Sequence, residues 1–345
     1  MSQDYFSLDI GEKYIRVVDS EDKKKTLNLK SAALTEIPFN LYTVTSQDFD
    51  SKASEIIHKL VLDAKITKTD VRITIPDTQS YTRIFEMPLL TDKELISAIR
   101  YQADQFIPIP IDKVSLDLHI ISKSKETNKS VILLVAASQS VIDHIVKITE
   151  DAGLVPVSIQ NEASSLLSLF SRLHDAQPQP STGASLYINF GNNSTSIYLY
   201  DNVQNLPLQV HNFNIGQQIF YKDIQANFTL SAEQVKDMIE RVGLTKQEAP
   251  YDISTILASP LSEFTSEIQR FILSSREKTQ LDVKDIYIVG EGSRFAGLEE
   301  RIASVIGLPV TQINLTQYFE KTAASDFFAH DWPMLATGVG ANLSV

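Results

Sequence analysis

Hydrophobic and polar positions alternate over two short stretches that share one layout. Near the N-terminus Ser7–Gly11 reads SLDIG and the alternation resumes from Tyr14 to Asp19; near the middle Leu186–Gly191 reads LYINFG and resumes from Ile197 to Asp201. In each, an apolar run meets a polar residue, one apolar residue and a glycine before a second run begins. Period-two alternation broken by a short gap containing glycine predicts a β-hairpin. Each copy should therefore carry a polar or charged side chain, Asp9 or Asn189, just before its tip. The second tip reads as two residues longer, and its Asn, Ser and Thr residues supply amides and hydroxyls that suit a phosphate.

The pattern elsewhere changes period several times. A new strand begins near Leu27, after the run Lys23-Lys24-Lys25, which reads as a solvated turn. From Lys52, apolar residues at Ala53, Ile56, Ile57, Leu60, Val61 and Ala64 follow the helical spacing. Val71–Ile75 alternates as a strand that stops at Pro76. Tyr81–Leu154 reads as a compact block: a strand through Ile84, a helix capped by Thr91 or Asp92 with Leu95, Ile99, Ala103 and Phe106 inward, strands over Leu116–Ile121 and Val131–Ala137, and a helix ending at Gly153. Ile107-Pro108-Ile109-Pro110 stops the first of those helices, because each proline excludes the residue before it from the helical region. Val155–Gln160 returns to strand, Glu162–Leu173 is a helix, and Gln177–Gly183 is an aperiodic linker with two prolines. Beyond the second hairpin, Val235–Val242 and Leu261–Ile272 are helical, and Ile286–Val289 is a buried-type strand running into Gly290-Glu291-Gly292-Ser293-Arg294. A helix over Leu298–Ile306 ends at Gly307. In the last segment, Trp332–Leu343, Ala336 and Gly340 stand four apart, a spacing that lets one backbone approach another.

Composition narrows the functional classes. A chain of 345 residues is long enough for two domains. With 43% hydrophobic and 21% charged residues it reads as globular. A formal charge of −12 argues against sequence-independent nucleic-acid binding. The absence of cysteine rules out disulfides and thiolate metal sites, and the six scattered histidines form no zinc motif. The N-terminus lacks the apolar core of a signal peptide, and no run approaches the roughly 20 apolar residues that span a bilayer. A cytoplasmic location is the expectation.

Two related hairpins, one in each half, and a strand entering a Gly-x-Gly turn resemble the layout of actin-like ATPases. Within that superfamily the chain is similar to the PilM family of type IV pilus assembly and, more loosely, to the cell-division protein FtsA. The most specific stretch is Met87–Pro110, MPLLTDKELISAIRYQADQFIPIP, followed by Ile111–Val114. The resemblance implies an α/β, actin-like ATPase fold: two lobes of duplicated ribonuclease H-like layers with a PilM/FtsA-type inserted subdomain. On that reading residues 1–82 form the first lobe, completed by 155–183 and 331–345, and 83–154 form the insertion. Residues 184–223 and 284–330 form the second lobe's core, and 224–283 its cap.

The same resemblance implies ATP and Mg²⁺ as cofactors and distributes their contacts. Asp9 would hold a magnesium-bound water from the second sphere, with Gly11 at the turn. Arg16 falls where a phosphate-contacting lysine often stands, although it also reads as an ordinary strand cation facing solvent. Asn189, Gly191, Asn192, Asn193, Ser194 and Thr195 would make the second phosphate loop, and Gly216 a further point of backbone approach. On the adenosine side the resemblance points to Gly290, Gly292, Ser293 and Arg294, and to Glu267, Arg270 and Ser274 on the preceding helix. The bland reading of Glu267 and Arg270 is an exposed pair worth a few tenths of a kcal/mol. No residue stands out as catalytic. Three positions depart from the family pattern: Glu12 replaces a small hydroxyl residue, Glu291 a glycine, and Asn189 an aspartate. Losing a charged second-sphere partner typically costs about 10- to 100-fold in metal affinity or activity, so hydrolysis is expected to be weak or absent.

The function implied is that of an assembly scaffold. It would bind the cytoplasmic tail of a PilN-like inner-membrane protein beside the inserted subdomain. It would connect platform proteins to the pilus motor ATPase, sit at the inner face of the cytoplasmic membrane through partners alone, and form homo-oligomers. The alternative is an active actin-like ATPase or a small-molecule kinase of the same fold. A kinase needs a carboxylate base near a substrate hydroxyl, and no sugar-binding motif accompanies this pattern.

Overall fold

The four strands of the two hairpin stretches are buried on both faces along nearly their whole length, and the sheets grow outward from there. A computed structural model of the chain describes residues 4–23, 26–44, 46–91, 93–99, 107, 110–175, 182–245 and 253–343. Lys24 and Lys25 of the lysine run, Asp92, Ala103, Phe106, Pro108 and Ile109 of the capped helix and its stop, and residues 177–181 of the linker lie outside them. The chain divides into two units. Unit 1 holds residues 1–176, 316–328 and 337–345; unit 2 holds 177–315 and 329–336.

Unit 1 begins with β1 (Tyr5–Ile10), β2 (Tyr14–Asp22), β3 (Leu27–Glu36), α1 (Gln47–Asp63), β4 (Asp70–Ile75) and β5 (Ser80–Pro88). It continues with β6 (Val114–Ser124), β7 (Lys129–Ser138), α2 (Gln139–Asp151), β8 (Val155–Asn161) and α3 (Glu162–Asp175). Five strands form a sheet in the order β3-β2-β1-β4-β8. β2 is antiparallel to both its neighbours, whereas β1, β4 and β8 run parallel. Phe6, Leu8 and Ile10 of β1 bury one face against Ile57 and Leu60 of α1 and Ile145 and Ile148 of α2. The period of two then sends Ser7 and Asp9 to the opposite face. α1 starts five residues before the periodic run at Lys52, with Ser46 as its N-cap residue and Asp48 and Asp50 in its first turn, where acidic side chains favour the helix dipole.

The remaining strands of unit 1 make a smaller antiparallel sheet, β5-β7-β6. Ile132, Leu134 and Ala136 of its central strand pack on Leu95 and Ile99, from the helix over residues 93–99, and on Ile107. Thr91 caps that helix: its backbone N–H donates to Glu94 at 2.9 Å, and its hydroxyl accepts from the Glu94 N–H at 3.4 Å.

Unit 2 repeats the first topology. Its elements are β9 (Ala184–Phe190), β10 (Thr195–Asp201), β11 (Leu206–Phe213), α4 (Gln217–Phe228), α5 (Ala232–Arg241), α6 (Ala258–Thr279), β12 (Val283–Val289), α7 (Leu298–Ile306) and β13 (Val310–Gln312). The sheet order β11-β10-β9-β12-β13 corresponds strand for strand to that of unit 1. Leu186, Ile188 and Phe190 face a core with Phe220, Phe264, Ile268 and Ile302 from the helices. β11, α4 and β13 escape the sequence pattern. β11 mixes Pro207, Gln209, His211 and Asn212 with its apolar residues, α4 buries only Gln217, Phe220 and Ile224, and β13 has three residues.

The expectation of a longer second tip fails. The last pairs are Ile10 with Ile15 and Phe190 with Thr195, so both tips span four residues. Each is closed alike, by the Gly11 N–H to Tyr14 O at 2.9 Å and the Gly191 N–H to Ser194 O at 3.0 Å. Thr195 and Ser196 read as loop because they are polar, but both are buried strand residues, and the Thr195 hydroxyl donates to Ile215 O at 2.6 Å.

The last helix, α8 (Trp332–Leu343), contributes its first residues to unit 2 and the rest to unit 1. A Cβ on Gly340 would stand 2.0 Å from Ser165 O, the close backbone approach that small residues four apart suggest. Among the described residues no helix is long and apolar enough to cross a membrane.

Candidate functional site

Parallel strands bring their C-terminal ends to one edge of a sheet, where open α/β folds collect ligand contacts. In unit 1 that edge holds Asp9 near the end of β1, residues 76–79 after β4, and the junction of β8 with α3. Asp9 and Arg16 lie opposite each other in the β1–β2 register. Both are buried, at 1% and 4% exposure, and an Arg16 guanidinium N–H donates to Asp9 Oδ2 at 3.0 Å. Arg16 is therefore not the solvent-facing cation that a strand position also allowed. Glu12 turns aside from the tip and accepts the Thr78 hydroxyl at 3.0 Å. The Tyr42 hydroxyl donates to Ile10 O at 2.7 Å, and burial, with Asp9 next, pushes its ionisation well above the usual tyrosine range.

Three residues of this edge were not singled out by sequence. Asp77 Oδ1 accepts the Ala163 N–H at 2.9 Å, capping α3, and the Asn161 amide at 3.1 Å. In return, the Asp77 N–H donates to Glu162 Oε2 at 3.1 Å. Asn161 also donates to Ser80 at 2.9 Å and Thr82 at 2.6 Å, both at the start of β5. Burial, then the charges of Asp77 and Asp9, hold the Glu162 carboxyl well above the usual carboxylate range. The available signal was positional: Asp77 follows a strand closed by Pro76, and Asn161-Glu162 stands at a strand-to-helix junction.

Unit 2 presents the matching edge. Asn189 takes the register position of Asp9, and Ser196 that of Arg16. The second hairpin has thus lost both members of the ion pair. Its tip is held by the start of α4: the Gln217 and Gln218 N–H groups donate to Gly191 O and Asn192 O, each at 3.0 Å. Gly216 permits this, because a Cβ there would lie 2.2 Å from Asn192 O. In a planar trans peptide the N–H opposes the C=O. Turning the carbonyls of 191 and 192 toward α4 therefore aims the Asn192 and Asn193 N–H groups away from it, as a pair of donors at the tip. Gly290, at φ +92°, follows β12; a Cβ on it would meet Asn189 Oδ1 at 2.4 Å, and one on Gly292 would meet the Phe190 ring at 2.2 Å. Glu291 lies beneath this turn, accepting the Gln217 amide at 3.1 Å.

The two halves of the expected adenosine contact stand at different strands of the unit 2 sheet. Glu267 approaches His211 of β11 at 3.7 Å and pairs with Arg270, so this stripe sits over one edge of the sheet. Ser274 is half-buried on the same helix. The Gly290–Arg294 turn follows β12, three strands from β11 in the sheet order, or about 14 Å at the usual strand spacing. Arg294 instead pairs with Asp331 and approaches Glu240 of α5 at 3.9 Å. Glu240, Arg294 and Ser293 line a cavity of about 450 Å³ together with Glu299, Gln312 and His330. Burial raises the Glu299 carboxyl above its ordinary range.

These residues fit a nucleotide better than they fit its metal. The paired tip amides and the glycine approaches suit a phosphate chain, and the cavity beside Arg294 has room for a base. Magnesium keeps most of its waters and needs anionic acceptors for them. Asp9 is neutralised by Arg16, Asn189 carries no charge, and among the described residues no three His, Asp or Glu gather as metal ligands. Neither unit's described donors, taken by themselves, make a protein-held Mg²⁺ site.

Residues 7–343 match the family described as type IV pilus assembly protein PilM. The chain belongs to the type IV pilus assembly protein PilM family. Among solved structures it is similar to one described as a PilM-PilN type IV pilus biogenesis complex, at TM-score 0.85 and 22% identity, with 99% of this chain and 98% of that one covered. It also resembles the ethanolamine utilization protein EutJ from Carboxydothermus hydrogenoformans, at TM-score 0.56 and 11% identity over 99% and 89% of the two chains. MreB 5 of Spiroplasma citri bound to AMPPNP matches at TM-score 0.51 and 11% identity over 98% and 95%. The fold of this PilM-family chain is that of the actin-like ATPases.

Proposed function

We propose that this PilM-family protein is a nucleotide-binding scaffold of type IV pilus assembly that engages the cytoplasmic tail of a PilN-like inner-membrane protein. Membership of the family, over residues 7–343, carries the assembly role. The observation that carries nucleotide binding is the second hairpin tip, whose carbonyls are tied to α4 so that two backbone N–H groups face outward as an anion-binding pair. Within unit 2 the phosphate contacts of this reading fall to Gly191–Thr195 and the Gly290–Gly292 turn. The base falls to the cavity beside Arg294, in place of the Glu267–Ser274 stripe. Hydrolysis is weak, because Asn189 lacks the charge that would orient an attacking water.

Residues 83–154, the small sheet with its helix, form the tail-binding insertion of this reading. Among the described residues its outer strands β5 and β6 pair with β7 alone, and Ile96 is 46% exposed on the helix of the same block. A peptide can add to such an edge through its backbone while an apolar side chain supplies specificity. Through that tail the protein meets the membrane, the platform proteins and the motor ATPase.

Calorimetry of the full chain tests both parts. A tail peptide from the cognate PilN-like protein should bind with micromolar or tighter affinity, and Ile96→Asp should weaken it by about tenfold or more. ATP should bind in a separate titration. Failure of the peptide to bind removes the scaffold reading, and failure of ATP to bind removes the nucleotide reading.

A further inference from the structure

Asn161 closes β8 at 1% exposure, and its side-chain amide meets more acceptors than it can serve. Three oxygens lie within reach of Nδ2: the Thr82 hydroxyl at 2.6 Å, the Ser80 hydroxyl at 2.9 Å and Asp77 Oδ1 at 3.1 Å. An amide NH₂ carries two hydrogens, so it serves two of them fully at a time. Turning the amide over offers no relief. The Asn161 oxygen already accepts from the Ser164 N–H at 3.1 Å and from the Ser164 hydroxyl at 2.8 Å.

The three acceptors belong to different parts of unit 1. Ser80 and Thr82 share one face of β5, an outer strand of the small sheet. Asp77 stands at the C-terminal edge of the main sheet and caps α3 through the Ala163 N–H at 2.9 Å, on the same oxygen that Asn161 reaches. Each side therefore holds the second hydrogen at the other's expense. The two hydroxyl contacts are the shorter ones, so Asp77 is the acceptor that yields when β5 is held still.

We infer that Asn161 is a coupling switch: a peptide seated on the small sheet draws both amide hydrogens to Ser80 and Thr82 and leaves Asp77 Oδ1 to the α3 cap. A carboxylate oxygen shares its charge among its donors, and relieved of one it holds the other more tightly. Binding at the insertion is thereby felt at the edge of the main sheet. By linkage, whatever engages Asp77 at that edge changes the affinity for the peptide by the same factor. The inference rests on the tail-binding reading above and adds a route by which the tail acts on unit 1.

The experiment is hydrogen exchange of the full chain, resolved at the Ala163 amide, with and without saturating tail peptide from the cognate PilN-like protein. Calorimetry first establishes that the peptide binds. Exchange at Ala163 should slow by about fivefold or more in the complex. Thr82→Val removes one contested acceptor and keeps the shape, so the amide serves Ser80 and Asp77 together and the peptide should no longer slow Ala163. Ser80→Ala should act in the same way, whereas Thr82→Ser keeps a hydroxyl and should keep the response. A purely structural role for these contacts would lower stability without removing a peptide-dependent signal. Unchanged or faster exchange at Ala163 in the wild-type complex overturns the inference and leaves the scaffold reading standing. A full response in both Thr82→Val and Ser80→Ala overturns the assignment to Asn161. No heat of peptide binding overturns the scaffold reading and this inference with it.

Discussion

At the scale of single residues, Glu162 shows how a polar edge can store a pH dependence. Its carboxyl lies against Asp77 and near Asp9, and burial with those charges favours the protonated form. For an acid whose pKa is higher in the folded than in the unfolded chain, the folded state binds more protons between the two values. Stability then falls as pH rises through that window. Glu162→Gln keeps the shape and an acceptor for the Asp77 N–H but cannot ionise. Below the unfolded pKa the variant and the wild type should have the same unfolding free energy, to within the loss of a single contact. Above it the variant should gain by up to about 1.4 kcal/mol per pH unit until the folded pKa is passed. Urea unfolding at acid, neutral and alkaline pH measures the difference, and a gap that does not grow with pH disproves it. The Asp9–Arg16 pair behaves differently, since removing one partner of a buried pair leaves a stranded charge and typically costs about 3–5 kcal/mol.

At the scale of elements, α8 depends on the absence of a side chain. A Cβ at Gly340 would overlap Ser165 O at 2.0 Å, whereas one at Gly153, at φ +85°, would meet nothing within 4 Å. Gly340→Ala should lower stability by about 1–3 kcal/mol through displaced backbone. Gly153→Ala should cost about 1–2 kcal/mol from left-handed strain alone. Chemical denaturation with enthalpies separates the two, because only the first should disturb packing on α3. Elements with a strong period were legible beforehand: both hairpins, α2 with its Gly153 stop, and α7 closed by Gly307. What stayed hidden lacks a local signature. β10 begins on Thr195 and Ser196, whose burial inside unit 2 overrides their polarity, and β11 pairs through its backbone while Pro207 and the Asn212-Phe213 step obscure its alternation. The candidate site was half legible for a related reason. Asp9, Asn189 and Gly290 sit in recognisable sequence patterns, but Asp77, Asn161 and Glu162 acquire meaning only when parallel pairing aligns the ends of β1, β4 and β8. Arg16 was visible, but its orientation toward Asp9 needed the register. The stripe at Glu267 needed the structure to place it beside β11, because helical spacing fixes which residues share a face and leaves open which strand that face covers.

At the scale of the whole molecule, net charge sets an expectation about lipid. A chain at −12 is repelled by an anionic membrane surface. In vesicle flotation it should stay with the aqueous fraction when mixed with anionic vesicles alone. It should float when those vesicles display a lipid-anchored PilN-like tail, and flotation without the tail would contradict attachment through a partner. The topology repeats between the two units, β3-β2-β1-β4-β8 against β11-β10-β9-β12-β13, while among the described residues the small sheet belongs to unit 1 alone, where β5 follows directly from the turn after β4. That junction is fastened by the Asn161 side chain, whose donors reach Ser80 and Thr82 while its oxygen accepts from Ser164. The seam has an engineering consequence. Anyone exchanging this block for a relative's, to test the tail-binding role proposed for it, has to preserve two hydroxyls at its leading edge. A graft cut a few residues later, with those hydroxyls left in the recipient, keeps the joint native and confines the change to the rest of the block.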